Sequence, residues 1–87
     1  LHFAAQANSA SVTKSLLSSG AQTELKDSYG NTPLFRAVFA YQSDGAVIRL
    51  LLNAGANPNA VNLSSVTPLS LAKSIANYDV SQFFDGL

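Results

Sequence analysis

The chain has 87 residues, 47% of them apolar and 11% charged, and five Lys/Arg balance five Asp/Glu for a formal net charge of zero. Such a composition folds around one small core. It lacks the basic patch with which proteins release counterions from nucleic acid or settle on anionic membranes, so neither partner is expected. No cysteine is present. Disulfides, thiolate-bound zinc and a cysteine nucleophile are thereby excluded together, and a reducing, cytoplasmic setting is expected.

In chain order, Leu1-His2-Phe3-Ala4-Ala5 reads as a short helix whose small residues let a neighbour approach closely. Val12, Leu16 and Leu17 lie at helical spacing and predict a second helix, closed by Gly20 in a left-handed conformation. Asp27-Ser28-Tyr29-Gly30 predicts a tight turn, with the Asp27 side chain supporting it and Gly30 supplying φ > 0. Thr32-Pro33-Leu34 is a helix start: the Thr hydroxyl can cap free N–H groups, and Pro at the first helical position has no N–H to leave orphaned. After Tyr41-Gln42-Ser43-Asp44-Gly45, with Ser43 or Asp44 as the expected cap, Val47, Ile48, Leu51 and Leu52 predict an amphipathic helix ending at Gly55. Ser65 then stands where a turn glycine would serve. Thr67-Pro68-Leu69 starts another helix, and Phe83-Phe84 take the last strongly apolar positions. The longest aliphatic runs, such as Leu50-Leu51-Leu52, are far too short to span a bilayer, and no signal-peptide pattern opens the sequence.

These elements repeat. Thr32-Pro33-Leu34 and Thr67-Pro68-Leu69 lie 35 residues apart, and Leu1 precedes Leu34 by 33. Val12…Leu16-Leu17-Ser18-Ser19-Gly20-Ala21 aligns with Val47…Leu51-Leu52-Asn53-Ala54-Gly55-Ala56. A fixed period of this length marks a stack of supersecondary units rather than a single globular topology.

The repeated motif resembles the ankyrin repeat, which runs approximately D-x-x-G-x-T-P-L-H-x-A-A, then I-V-x-L-L-L, then G-A-D-V-N-A. Asp27, Gly30, Thr32-Pro33-Leu34, Ala37, Ile48, Leu50-Leu51-Leu52, Gly55-Ala56 and Asn59-Ala60 carry the match through residues 27–61. The resemblance implies an all-α solenoid of stacked helix-turn-helix units joined by β-turn fingers. It divides the chain into a partial first repeat over 1–26, a second over 27–61 and a degenerate, cap-like third over 62–87. The first repeat begins midway through the motif, so a piece of a longer protein is expected. The departures are local. His follows Leu only at His2, Phe35 and Ser70 replacing it elsewhere, and the two extra residues fall between the helices of the second unit.

Chemistry is sparse. His2 is the only histidine; with no second ligand in the pattern, it reads as a helix-start residue bonded to the turn rather than as a base or metal ligand. No acids are spaced to share a catalytic task. No G-x-S-x-G elbow or glycine-rich phosphate loop occurs. Neither an enzyme nor a cofactor is expected, and no metal site.

The resemblance instead implies a protein partner, bound by a monomer on the concave face lined by turns and first helices. On that face the candidates are Tyr29, Asn31, Arg36, Phe39, Leu63, Val66, Leu71 and Ser74, with Ile75 beyond them. Tyr29, Arg36 and Phe39 stand out, because aromatic and Arg side chains dominate binding hot spots and a charged Arg36 has no obvious duty in a core. Two packing alternatives exist: Phe39 beneath the insertion with Tyr41 over it, and Tyr29 against the neighbouring turn. The stretches 30–39 and 75–80 also look like those of small bacterial ankyrin proteins, some of which neutralise toxins. A toxin domain, or service as a structural or targeting arm of a larger protein, are therefore alternative roles.

Overall fold

A computed structural model describes residues 1–41, 45–74 and 80–84 of the chain. Helices α1 (His2–Gln6), α2 (Ala10–Ser18), α3 (Pro33–Phe39), α4 (Ala46–Asn53) and α5 (Pro68–Ser74) are followed by a short 3₁₀ helix, Val80–Phe84. No strand occurs among the described residues. Helices α1, α3 and α5 pack side by side in one row, α2 packs on α4 in a second, and each helix of the first row pairs with the element that follows it. The result is two helical layers with the turns projecting from the N-terminal ends of the first row.

Each helix end has a local cause. Thr32 Oγ1 accepts from the N–H of Phe35 at 3.4 Å, with Pro33 at the first position of α3. Thr67 does the same for Ser70 at 3.0 Å, and Ser70 Oγ returns an acceptor to the Thr67 N–H at 3.0 Å. The serine thus supplies reciprocal capping at a place where the family motif has His. At the other ends, α2 and α4 close in the same way. The N–H of Ala21 donates to Leu16 O and that of Gly20 to Leu17 O; Ala56 and Gly55 repeat this on Leu51 and Leu52. This paired closure needs a left-handed residue, supplied by Gly20 at φ +88 and Gly55 at φ +92. Asn8, at φ 55, plays that part after α1. No glycine marks this end in the sequence.

The core lies between the two layers. Leu34, Val38, Val47, Ile48 and Leu51 are all within 1% of complete burial, joined by Ala5, Ala37, Ala72, Val80 and Phe84. Leu52, expected in the core, is only partly buried at its edge. The alanines carry the close approach of α1, α3 and α5, where larger side chains would hold the first row apart. Among the described residues of the third unit, a 3₁₀ helix follows α5 and fills its share of the core with Val80 and Phe84. Phe83 packs beside it, edge-on to Tyr41 with ring centroids 5.6 Å apart and 4.7 Å from the guanidinium carbon of Arg49. Tyr41 is therefore buried against Phe83 and does not cover Phe39. The N-cap of α4 is Gly45, without a side-chain cap. Ser43 and Asp44, expected there, lie outside the described residues, as does Ile75.

Candidate functional site

The turn that feeds α3 is organised by one carboxylate. Asp27 Oδ1 accepts from the N–H of Tyr29 and the N–H of Asn31, both at 2.9 Å. Its Oδ2 accepts from Arg36 Nε at 2.9 Å and Nη2 at 2.6 Å. Partial burial works to raise the pKa of this carboxyl, but the Asn31 N–H, the Arg36 guanidinium and the Tyr29 N–H together outweigh it and hold the group below the ordinary carboxylate range. Asn62, 35 residues on, repeats the arrangement with a neutral side chain: its Oδ1 accepts from Ser64 and Val66 at 2.9 Å.

Neighbouring turns are stitched to one another. Asn62 Nδ2 donates to Asn31 Oδ1 at 2.8 Å, Leu63 N–H to Tyr29 O at 3.1 Å, and Lys26 Nζ to Val61 O at 2.9 Å. Gly30, at φ +78, sits so close to the next turn that a β-carbon there would lie 2.9 Å from the Leu63 backbone nitrogen. Only glycine meets both demands. Ser65 holds the same conformation in the third unit, at φ 63, with its side chain exposed. On the other flank, His2 Nε2 donates to the Asn31 carbonyl at 2.8 Å. His2 is thus a turn-binding residue, but the turn belongs to the following unit.

On this scaffold Tyr29, Asn31, Phe35, Arg36 and Phe39 line a shallow pocket of about 150 Å³. Turn and helix contribute together: Tyr29 and Asn31 come from the finger, Phe35, Arg36 and Phe39 from α3. Tyr29 and Phe39 are 67% and 72% exposed, so neither has withdrawn into packing. Tyr41 does not close over Phe39, and residues 42–44 of the insertion lie outside the described residues. Arg36 differs from expectation. Its guanidinium ties the turn to α3 through Asp27 and reaches α1 through Gln6 Oε1 at 2.8 Å, so a side chain read as free of structural duty joins two units.

The remaining candidates separate. Leu63 is 79% exposed on the adjacent turn. Val66 is half-buried, and Leu71 is half-buried against the core. Ser74 is exposed but spends its hydroxyl on Ser70 O at 2.9 Å. None of these four lines the pocket. Phe35 does, a residue that the motif comparison marks only as standing where the repeat has His. The available signal was an aromatic at a position where the other two units place His2 and Ser70. Among the described residues no group of three or more His, Cys, Asp or Glu could hold a metal ion, and no helix is long and apolar enough to cross a membrane.

Comparison with known proteins agrees with this architecture. A family model for ankyrin repeats, in three copies, matches residues 1–84. An ankyrin repeat protein of Fowlpox virus (strain NVSL) is 42% identical over 59 residues, covering 67% of this chain and 11% of its own length. The transient receptor potential cation channel subfamily A member 1 of Homo sapiens is 43% identical over 54 residues, covering 62% of this chain and 5% of its own. The neurogenic locus Notch protein of Drosophila melanogaster is 41% identical over 76 residues, covering 87% of this chain and 3% of its own. The chain therefore spans a small fraction of the length of these relatives. With the paired helical layers, stitched turns and Thr-Pro helix starts, the match places the chain in the ankyrin-repeat family.

Proposed function

We propose that the chain is a non-catalytic interaction module that binds a partner protein on the concave face formed by its turns and first helices. Ankyrin repeats are in general protein-interaction modules, and the observation that carries the reading here is the pocket itself. Three aromatic side chains, Tyr29, Phe35 and Phe39, and the Arg36 guanidinium converge on one surface spot. Two of the rings remain largely in water. Apolar surface that contributes nothing to the core and gathers at a concavity marks an interaction site more often than chance exposure does. In this reading Tyr29, Phe39 and Leu63 are direct contacts. Asn31 and Arg36 shape the site while holding the turn.

The test is affinity capture with the wild-type chain and a Tyr29→Ala/Phe39→Ala variant, each verified as folded by its thermal transition. Arg36 is left intact because its removal would loosen the turn and confuse the readout. Capture of one protein by wild type and its loss with the variant supports the reading. Equal capture by both would place binding on another surface and overturn it.

A further inference from the structure

Resting on that reading, we infer that the pocket accepts one uncharged apolar side chain of the partner, of leucine to phenylalanine size, with a neighbouring carbonyl oxygen set against Arg36. Four observations converge on this occupant. The volume of about 150 Å³ equals that of an apolar engineered cavity that takes up benzene. The walls are the rings of Tyr29, Phe35 and Phe39, which offer mainly area and ring edges, with the Tyr29 hydroxyl as their one polar group.

Most acceptors and the one charge at the site are already engaged, which leaves only neutral donors facing the occupant. Asn31 commits its N–H to Asp27 Oδ1, its carbonyl to His2 Nε2 and to the Asp27 N–H, and its side-chain oxygen to Asn62 Nδ2. The one charged side chain in the lining, Arg36, is neutralised by Asp27 at 2.6 Å. An acidic side chain entering here would compete with Asp27, and a basic one would meet the guanidinium. Of the five N–H groups of Arg36, three are used, on Asp27 and Gln6. The remaining two can receive a neutral acceptor such as a peptide carbonyl. Finally, the whole chain carries zero formal charge, so long-range steering of a charged ligand is weak. Recognition by this pocket is therefore apolar and insensitive to salt.

The probes are N-acetyl-leucinamide, N-acetyl-phenylalaninamide, N-acetyl-glutamic acid amide and N-acetyl-lysinamide, titrated into the chain while the ring and backbone resonances of Tyr29, Phe35 and Phe39 are followed by NMR. The two apolar probes should give saturable shifts at these residues with dissociation constants in the millimolar range, as suits one small fragment. The charged probes should give none. The apolar response should persist when ionic strength rises from about 0.01 M to about 1 M, which contracts the Debye length from about 30 Å to about 3 Å. It should vanish in Phe39→Ala and survive in Phe39→Leu, which keeps an apolar wall. Saturable binding of a charged probe, no saturable shift with either apolar probe, or undiminished binding to Phe39→Ala would each overturn the inference. Failure here remains distinct from failure of the module reading. A partner captured through Tyr29 and Phe39 but released by salt would refute the apolar anchor alone, whereas capture indifferent to those residues would refute the interaction face itself.

Discussion

Replacing Arg36 with alanine separates the structural role of this residue from a role in binding. The substitution removes two charge-assisted bonds to Asp27 and one bond to Gln6. Hydrogen bonds to charged groups contribute about 1.5–3 kcal/mol net, while exposed ion pairs contribute about 0–1 kcal/mol. The two side chains are 28% and 17% exposed, between those limits, and Asp27 keeps its two backbone donors after the change. A loss of about 1–2 kcal/mol is expected. For a chain of this size each kcal/mol moves Tm by about 4–8 °C, so the transition should fall by about 5–15 °C. A double-mutant cycle with Asp27→Ala, read by thermal and urea unfolding, should assign about 1 kcal/mol to the pair.

The pH dependence has a definite sign. The Asp27 carboxyl is depressed in the folded chain, so its contribution is fully present above the unfolded value of about 3.9 and is lost as pH falls through the lower folded value. The stability gap between wild type and Arg36→Ala should therefore be constant near neutrality and close in acid below about pH 4. An unchanged Tm at neutral pH, or a gap that widens in acid, would refute the clamp and return Arg36 to the free surface.

Three further substitutions probe the core and its edges. Thr13 is fully buried and its hydroxyl has no partner among the described residues; Thr13→Val should raise stability by about 1 kcal/mol in urea unfolding, and a loss would show that the hydroxyl is bonded. A β-carbon on Gly45 would overlap the Phe83 ring, so Gly45→Ala should lower stability by about 1–3 kcal/mol and weaken the near-UV signal of the Tyr41–Phe83 pair; an unperturbed spectrum would argue against that packing. Leu51 has no exposed surface, and Leu51→Ala should cost about 2–5 kcal/mol. In the 87-residue chain that loss should abolish the cooperative transition in circular dichroism, and a transition lowered by only a few degrees would mean the site collapses around the gap.

The sequence by itself determined the repeat, its register and most helix boundaries, because these depend on residues acting within a few positions of themselves. Thr32 and Thr67 cap their own helices, Asp27 closes its own turn, and Gly55 ends its own helix. The aliphatic spacing of Val47, Ile48 and Leu51 fixes a buried stripe for the same reason. Tertiary structure alone decided the site. Whether Phe39 would be covered depended on where Tyr41 and Phe83, 42 positions apart in the chain, met one another. Whether Arg36 was free depended on Asp27, which folds back to it across the turn, and on Gln6, 30 positions away and one unit back. Likewise, Phe35 became a pocket wall only because the turn carrying Tyr29 folds over the start of α3. Periodicity reports which side of a helix a residue occupies. It carries no record of which long side chain from a neighbouring unit reaches that side first.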